Sequence, residues 1–504
     1  MTKQRLSQSE IDGVQYRRAK LWQIILVAFN AFNGMGVYIL FNNYVGYAAN
    51  LGFGIATLAV GGLLTFTRIF DAVTDPLLAF LYDRVNTRWG KVRPLLALGW
   101  LIQTIGVLLV FWLGAGKGLG VVAFVVFYMI YIIGYTIINM TAQTLPALMT
   151  NDPKQRPTVG VWQTALNYLV PMALTIVLNN VILPRFGNEY TLGFLKTSSL
   201  VVACITLVGV ILVAIGISAF DRPENFKGVG KKADERLKTK DMLNVLAHNK
   251  PLQSYIISAA SDKIAQQAAA TGIVTTMLSG ILIGNMQLAT ILSVAGMLPS
   301  IIFAVFGARY AGKHGHKESI QRWTLYCIGA GALSILFFIV IDPKSIATMG
   351  VTMILYILLT LLLNGCMMCV TTANTGFMAD IIDFELDRSG KYIPAVVTGT
   401  YSLVDKIVSA FSALIATGCV ALIGYTNSLP QPNDPSTSGV FWVTMFLKYG
   451  LAILGWICTL LAMRRCALDK AEMVEVQKRI ADKKAQAQEA LFDEELHKGD
   501  PIDA

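Results

Sequence analysis

The sequence predicts an all-α membrane protein with twelve transmembrane helices in two pseudo-symmetric six-helix bundles. The first observation is composition, because the 504 residues are 55% hydrophobic and only 14% charged, whereas soluble domains carry about 25% charged residues. The second is a series of twelve apolar segments long enough to cross a bilayer, which takes about 20 residues each. The third is a polar, basic stretch at residues 221–250 that divides these segments into two groups of six.

The segments and their flanks also predict the topology. About 33 of the 41 Lys and Arg residues fall in loops on the side that holds both termini, so both termini are predicted to be cytoplasmic. The net charge of +10 is explained by the basic residues in these loops and does not indicate binding to nucleic acid. The predicted spans are 22–48, 54–82, 94–114, 119–147, 158–183, 198–220, 251–282, 286–311, 323–341, 347–378, 394–425 and 439–463.

These spans define five parts of the chain. A cytoplasmic N-terminus covers 1–21, an N-terminal six-helix bundle 22–220, a cytoplasmic central loop 221–250, a C-terminal six-helix bundle 251–463 and a cytoplasmic tail 464–504. The tail is charged and rich in Ala, Lys and Glu, which predicts a helix followed by a loose end. We expect a solvated tail in preference to a regulatory one.

The second predicted span carries charged residues at a depth where they are costly. Asp71 and Asp75 are one helical turn apart and share a face with Arg68. Each ionisable group at the centre of a span costs at least about 2.5–3.5 kcal/mol, which calls for a functional reason. Two such carboxylates can bind Na⁺ through their oxygens or share a proton. The alternative is a structural salt-bridge cluster with Arg68.

Polar residues in other spans predict a substrate site. The fourth span carries a polar stripe on one helical face, formed by Thr136, Asn139 and Gln143. This stripe is predicted to line a cavity, and the alternative is that it hydrogen-bonds to neighbouring helices. Asn30 and Asn33 in the first span are candidates to bind sugar hydroxyls, with helix packing as the alternative.

Two lysines add positive charge inside the spans. Lys406 needs an acidic partner, for which Asp71 and Asp75 are candidates and its neighbour Asp405 is the alternative. Lys263 lies inside the seventh span and either points into the cavity or pairs with a neighbour.

The stretch RIFDAVTDPLLAFLYDRVNTRWGKVRP, residues 68–94, resembles the signature of the glycoside–pentoside–hexuronide:cation symporter family, whose members include melibiose permease. Weaker similarity covers YTIINMTAQTLP at 135–146, MADIIDFELDRSGKY at 378–392 and TYSLVDKIVSAF at 400–411. The resemblance implies the major facilitator fold and cation-coupled sugar symport. The resemblance implies that Asp71, Asp75 and Thr136 bind the cation and that Lys406 and Arg68 couple it to the sugar. To these the polar residues of the spans add further candidates: Thr74 for cation binding, and Asn30, Asn33, Asn139, Gln143, Lys263, Tyr401 and Ser402 for substrate binding.

The chain also departs from the melibiose permease pattern. Asn139 stands where that pattern has an Asp that binds sugar hydroxyls, and Gln143 stands where it has a Trp. The cation half of the pattern is kept and the galactoside half is not. Together with Lys263, these changes favour an anionic sugar such as a hexuronide.

The predicted function is therefore symport of a sugar, glycoside or hexuronide with H⁺ or Na⁺ across the cytoplasmic (inner) membrane. Two alternatives are transport of a lysolipid-like amphipath and a non-transporting membrane sensor. We expect no enzyme activity and no cofactor, and a metal at Asp71 and Asp75 only if the coupling ion is Na⁺. The expected partners are the sugar, a monovalent cation and membrane lipid, with no nucleic acid, and the expected state is a monomer.

Overall fold

The computed structural model describes residues 18–84, 87, 90–114, 116–150, 155–222, 246–288, 297–389, 394–480 and 482. In these ranges the regular structure is helical, apart from an isolated bridge between Thr87 and Gly90. Helices lie at every predicted span, and one more follows them. We number them α1 (Leu21–Gly52), α2 (Thr57–Arg84), α3 (Val92–Leu113), α4 (Gly120–Met149), α5 (Arg156–Ile176, continued by a π-helix at Val177–Ile182), α6 (Leu192–Ile217), α7 (Lys250–Ala269 and Gly272–Leu282), α8 (Met297–His314), α9 (His316–Val340), α10 (Val351–Ser389), α11 (Pro394–Leu422), α12 (Ser438–Arg465) and α13 (470–480).

Nine helices of the described ranges are long and apolar enough to cross a membrane, namely α1, α3–α6 and α9–α12. The chain is therefore a multi-pass membrane protein. Of the remaining predicted spans, α2 carries the charged residues noted above, and α7 is interrupted between Ala269 and Gly272. The eighth includes residues 289–296, which lie outside the described ranges. The count of twelve crossings stays a prediction.

Several helices contain π-helical turns, which are rare and often lie at functional sites. One interrupts α1 at Phe32–Gly36, where two glycines weaken the regular helix, and another interrupts α12 at Phe446–Gly450. Each turn changes which side chains face the neighbouring helices.

The chain packs as two compact units that do not follow the chain order. Unit 1 contains Met1–Ala233, Ala270–Val294 and Ala410–Thr444, and unit 2 contains Asp234–Ala269, Ala295–Ser409 and Met445–Ala504. Unit 1 thus includes the second part of α7 and most of the second half of α11 in addition to α1–α6. The division into bundles at 22–220 and 251–463 stays a prediction.

In unit 1, α3 and α4 pack closely because glycines face the neighbouring backbone. A Cβ at Gly106 would lie 2.5 Å from the backbone nitrogen of Tyr131, and a Cβ at Gly134 would lie 2.2 Å from that of Gln103. Small residues allow this approach, which membrane helices use in place of hydrophobic burial. The pair forms a rigid support for the polar residues of α4.

The start of α3 in unit 1 is capped by a buried carboxylate from the end of α6. Asp221 is fully buried and accepts hydrogen bonds from the backbone nitrogens of Lys91 at 2.8 Å, Val92 at 3.1 Å and Arg93 at 2.7 Å. Gly90 has φ +98°, and a Cβ there would lie 2.4 Å from the Asp221 carboxyl carbon. A negative charge at a helix N-terminus is stabilising, so Asp221 ties α3 to α6.

The opposite end of unit 1 holds the added parts of α7 and α11. The Tyr47 hydroxyl donates to the Pro430 carbonyl at 2.9 Å and lies 3.1 Å from the Thr276 hydroxyl. Asn50 donates to the Asn427 carbonyl at 2.8 Å. Burial raises the pKa of Tyr190, in the α5–α6 loop, to about 12, so this hydroxyl stays protonated and hydrogen-bonds to Thr276. These contacts explain why unit 1 extends beyond the first six helices.

In unit 2 the core extends into the C-terminal tail. Leu468, Val476 and Ile480 are buried in the same cluster as Phe377 of α10 and Met463 of α12. The sequence favoured a solvated tail, and for residues 468–480 this interpretation is wrong, because α13 buries one apolar face. Residues 483–504 lie outside the described ranges.

Candidate functional site

The cation-binding prediction centres on α2, which crosses α4 in unit 1. The Thr136 hydroxyl, on α4, is buried and donates to Asp71 Oδ1 at 3.1 Å. The Thr74 hydroxyl donates instead to the backbone oxygen of Asp71 at 3.2 Å. The structure therefore brings Thr136 to the Asp71 carboxylate, while Thr74 bonds its own helix. The side chain of Asp75 lies outside the described residues.

Aromatic side chains of α4 surround the charged residues of α2. Tyr128, Tyr131 and Tyr135 follow each other at helical-turn spacing, and all three lie within electrostatic range of Arg68 and Asp71. Aromatic rings exclude water while their hydroxyls can still hydrogen-bond. Charge interactions near Asp71 are consequently stronger than they would be in water.

Asn139 lies one turn beyond Tyr135 on the same face of α4. Its side chain hydrogen-bonds to Tyr135, and its Oδ1 would lie 3.7 Å from a Cβ at Gly34 of α1. Asn139 therefore faces α1 at the π-helical turn. The Gln143 side chain lies outside the described residues, so the polar stripe is seen at Thr136 and Asn139 only.

The two asparagines of α1 are packed between helices of unit 1. Asn33 is 0% exposed and donates to Asn30 Oδ1 at 3.4 Å. Gln103 of α3 donates to the Asn33 carbonyl at 3.0 Å. This arrangement supports helix packing, the alternative given for these residues, and their substrate contact stays a prediction. Gln103 was not predicted as a polar contact of α1, although a single amide side chain in an apolar helix indicates that it needs a hydrogen-bond partner.

A second polar cluster lies in unit 2 around Asp405 of α11. The Tyr401 hydroxyl donates to Asp405 Oδ1 at 3.5 Å, and Lys263 and Lys406 both lie within electrostatic range of this carboxylate. The Tyr401 ring also packs on Tyr255, with ring centres 5.1 Å apart. Three predicted site residues thus converge on a carboxylate that was considered only as a local partner of Lys406. Ser402, the fourth, is exposed.

Asp262 of α7 is a further buried acid of unit 2. It accepts a hydrogen bond from Trp456 Nε1 at 3.1 Å and from Gln266 Nε2 at 2.7 Å, and it lies within electrostatic range of Lys263. Two donors and a neighbouring cation satisfy this carboxylate, as a buried charge requires. Asp262 and Asp405 both lie within electrostatic range of Lys263.

Charged groups held by hydrogen bonds inside apolar helices are typical of membrane proteins that move ions or substrates. The model of the family described as MFS/sugar transport protein matches residues 23–470, and the chain belongs to this family of transporters, which are not enzymes. At family level this makes it a sugar transporter.

Individual relatives agree with this family. The chain is 23% identical over 393 residues to the putative glycoside/cation symporter YagG of Escherichia coli, covering 77% of this chain and 80% of that protein. It is 35% identical over 136 residues to the glucuronide carrier protein homolog of the same organism, covering 27% and 29%. A crystal structure of a mutant nucleoside transporter NupG matches with a TM-score of 0.59 at 13% identity, covering 87% of this chain and 98% of that one. This last likeness concerns the fold alone.

Proposed function

We propose that the protein couples the entry of H⁺ or Na⁺ to the uptake of a sugar, glycoside or hexuronide by alternating access. The observation that carries the proposal is the Asp71 carboxylate, held inside apolar helices by the Thr136 hydroxyl at 3.1 Å. A carboxylate and a hydroxyl offer hard oxygen ligands to Na⁺, and the carboxylate alone can accept a proton. Asp75, one turn away, supplies the second acid.

The role of the cation follows from charge. A carboxylate in a water-poor site is stabilised by positive charge, and a bound cation supplies such a charge. Arg68 lies within electrostatic range of Tyr128, as Asp71 does. Its positive charge balances part of the negative charge of the two aspartates. Cation binding therefore changes the local charge by one unit.

The candidate residues for sugar binding are the polar side chains predicted from the sequence, namely Asn139, Gln143, Lys263 and Tyr401. The names of the relatives support this substrate class, since one is a putative glycoside/cation symporter and another a glucuronide carrier homolog. Lys406 is the proposed coupling residue. The proposed location is the cytoplasmic membrane, with both termini inside and the protein a monomer.

The test is uptake by purified protein in liposomes with an imposed ion gradient. A thermostability screen of sugars with and without Na⁺ at two pH values first selects the sugar. We expect Asp71→Asn and Asp75→Cys to abolish uphill accumulation of that sugar, because neither side chain exchanges a proton or binds a cation as a carboxylate does.

Asp71→Asn keeps a side-chain oxygen that can accept from Thr136, so the helix contact is preserved. Sugar counterflow, which needs no gradient, measures whether the variant still binds and moves substrate. Retained gradient-driven accumulation in Asp71→Asn would contradict the proposal.

A further inference from the structure

A cavity lies in unit 2 where α13 packs on the turn between α8 and α9. Its volume is about 550 Å³, within the range of about 300–1,000 Å³ that is typical of sites for small molecules. Its walls come from the α8–α9 turn, from one position of α10 and from residues 468–478, which all belong to unit 2. The turn and α13 are in direct contact, because a Cβ at Gly315 would lie 2.9 Å from the Lys470 Cβ. The cavity therefore exists only while α13 is docked.

Three lysines line this cavity from two sides, Lys317 at the start of α9 and Lys470 and Lys478 on α13. Lys317 Nζ donates to the Cys466 carbonyl at 2.5 Å, and Lys470 Nζ donates to the Lys313 carbonyl at 2.7 Å. An ammonium group has three donors, so each of these two lysines keeps two N–H groups for a further partner. A backbone carbonyl carries no net charge, so these bonds leave the positive charge of both lysines unbalanced.

The cavity also has two acidic residues, and both are already bonded within the protein. Asp380 Oδ2 lies 2.6 Å from His316 Nδ1. Asp469 Oδ1 accepts a hydrogen bond at 2.9 Å from the backbone nitrogen of Glu472, in the first turn of α13. Across the described ranges, none of the three lysines forms an ion pair with a carboxylate. The lining consequently carries positive charge that its own acids do not balance.

The shape and the apolar lining distinguish these lysines from ordinary surface lysines, which face bulk water. Ala311 and Leu468 are 4% and 1% exposed and contribute apolar walls, together with Met473. A concave space with apolar walls and a few charged groups is the usual arrangement of a ligand site. Because such walls reduce the amount of water around the ammonium groups, their attraction for an anion is stronger than it would be on an open surface.

The number of lysines favours one class of anion. A phosphate monoester carries a charge of about −1.5 to −2 and three strong acceptor oxygens, so it can accept from three lysines at once. A carboxylate carries a single charge and only two oxygens. The cavity lies at helix ends that the sequence predicts to be cytoplasmic, and basic pockets at this level of membrane proteins bind lipid head groups. Soluble phosphorylated molecules of the cytoplasm can reach the same place.

We propose that this cavity binds a phosphate monoester, with Lys317 on one side and Lys470 and Lys478 on the other as its ligands. The inference goes beyond the proposed function, because none of the candidate residues for cation binding, coupling or sugar binding lines the cavity. A phosphate held by lysines of both walls also links α13 to α9, so the bound ligand stabilises the docked position of α13. The phosphate belongs either to a soluble molecule or to a lipid head group.

The experiment measures binding to the full chain, purified in detergent and freed of lipid, by isothermal titration in a buffer without phosphate. Glycerol 3-phosphate is the soluble probe, and dihexanoyl phosphatidic acid presents the same group as a lipid. Glycerol and dihexanoyl phosphatidylcholine are the matched controls without a phosphate monoester. We expect at least one probe to bind saturably with a Kd of about 1 mM or lower, and neither control to do so. A Kd at least about tenfold lower for the phosphatidic acid identifies a lipid ligand, and any smaller difference identifies a soluble one.

Two variants test the lysines as ligands. Lys317→Gln and Lys478→Gln should each raise the Kd of the bound probe at least about tenfold, because each removes a charge-assisted hydrogen bond. Gln at position 317 keeps an amide that can donate to the Cys466 carbonyl. In the part of the chain that the structure describes, Lys478 makes no hydrogen bond or ion pair, so its replacement leaves the packing of α13 intact.

The matched control is Lys313→Gln, which removes a lysine from the same turn whose side chain does not line the cavity. It should change the Kd by less than about twofold, as expected for an exposed charge. The bound probe should also raise the Tm of the wild-type protein and slow tryptic cleavage in the tail.

Absence of saturable binding of both probes to the wild-type protein would overturn the inference. An unchanged Kd in Lys478→Gln would do the same, and so would an equal loss of affinity in Lys313→Gln, which would indicate general attraction to a basic surface. If the Tm without ligand shows that Lys317→Gln is poorly folded, Lys478→Gln decides the question. None of these measurements involves sugar uptake, so their failure leaves the proposed function intact.

Discussion

At the scale of single residues, two threonines with the same hydroxyl make different contacts with Asp71. Thr136 donates to the carboxylate at 3.1 Å, and Thr74 donates to the backbone oxygen at 3.2 Å. A hydrogen bond to a charged oxygen is roughly twice as strong as one between neutral groups. The sequence could identify both hydroxyls, because polar residues stand out in apolar helices. It could not separate their roles, because the bond to the helix's own backbone depends on the side-chain rotamer.

The variant Thr136→Val tests this difference and also identifies the coupling ion. If the ion is Na⁺, the variant loses an oxygen ligand, and half-maximal uptake should need roughly tenfold more Na⁺, which corresponds to about 1.4 kcal/mol. If the ion is H⁺, the carboxylate loses a donor that stabilises its charged form. The proton should then bind more tightly, and half-maximal uptake should occur at higher pH.

The control is Thr74→Val, whose hydroxyl is bonded to the backbone. It should shift the ion dependence by less than about twofold, since such local bonds contribute little. The measurement is initial uptake rate against Na⁺ concentration at fixed pH and against pH without Na⁺. Equal shifts in the two variants would show that the carboxylate contact is not what matters.

At the scale of elements, α13 is attached to the end of α10 by both polar and apolar contacts. Gln477 donates to Asp383 at 2.7 Å, and Arg479 donates to Asp387 at 2.7 Å. Just before them in the chain, Val476 is 0% exposed in the core of unit 2. The signal for this docking was present in the sequence, because Met473, Val476 and Ile480 recur at helical spacing. The many charged residues of the tail favoured a solvated tail, so the apolar face of this helix was not recognised as a docking face.

Two valines of α13 allow a matched test of this attachment. Val476 is fully buried, whereas Val474 on the same helix is 50% exposed. Val476→Asp would place a carboxylate in the core and should release α13, lowering the free energy of unfolding by about 2–4 kcal/mol. Val474→Asp should lower it by less than about 0.5 kcal/mol. The measurements are the Tm of the purified protein and the rate of tryptic cleavage in the tail. Similar Tm values for the two variants would contradict the docking.

At the scale of the whole molecule, hydropathy predicts the position of helices but not how they group. Every predicted span overlaps a helix of the described residues, because about 20 apolar residues can satisfy their backbone in a membrane only as a helix. The assignment of the second part of α7 to unit 1 could not be predicted. It depends on contacts such as Tyr47 to the Pro430 carbonyl, and a backbone carbonyl carries no sequence signal. The likeness to a family motif predicted roles for Asp71 and Lys406 but none for Asp405, because the proximity of Asp405 to Lys263 depends on how two helices pack.

Coupling between cation and sugar is a property of the whole molecule. Coupling by free energy is reciprocal, so the factor by which saturating cation lowers the Kd of the sugar must equal the factor by which saturating sugar lowers the Kd of the cation. We expect both factors to lie in the range of about 5–150. Isothermal titration of the purified protein, with each ligand titrated in the absence and presence of the other, measures them. In Asp71→Asn the sugar should bind with one Kd whether or not the cation is present. A cation effect on sugar binding that survives in this variant would place the coupling site elsewhere in the protein.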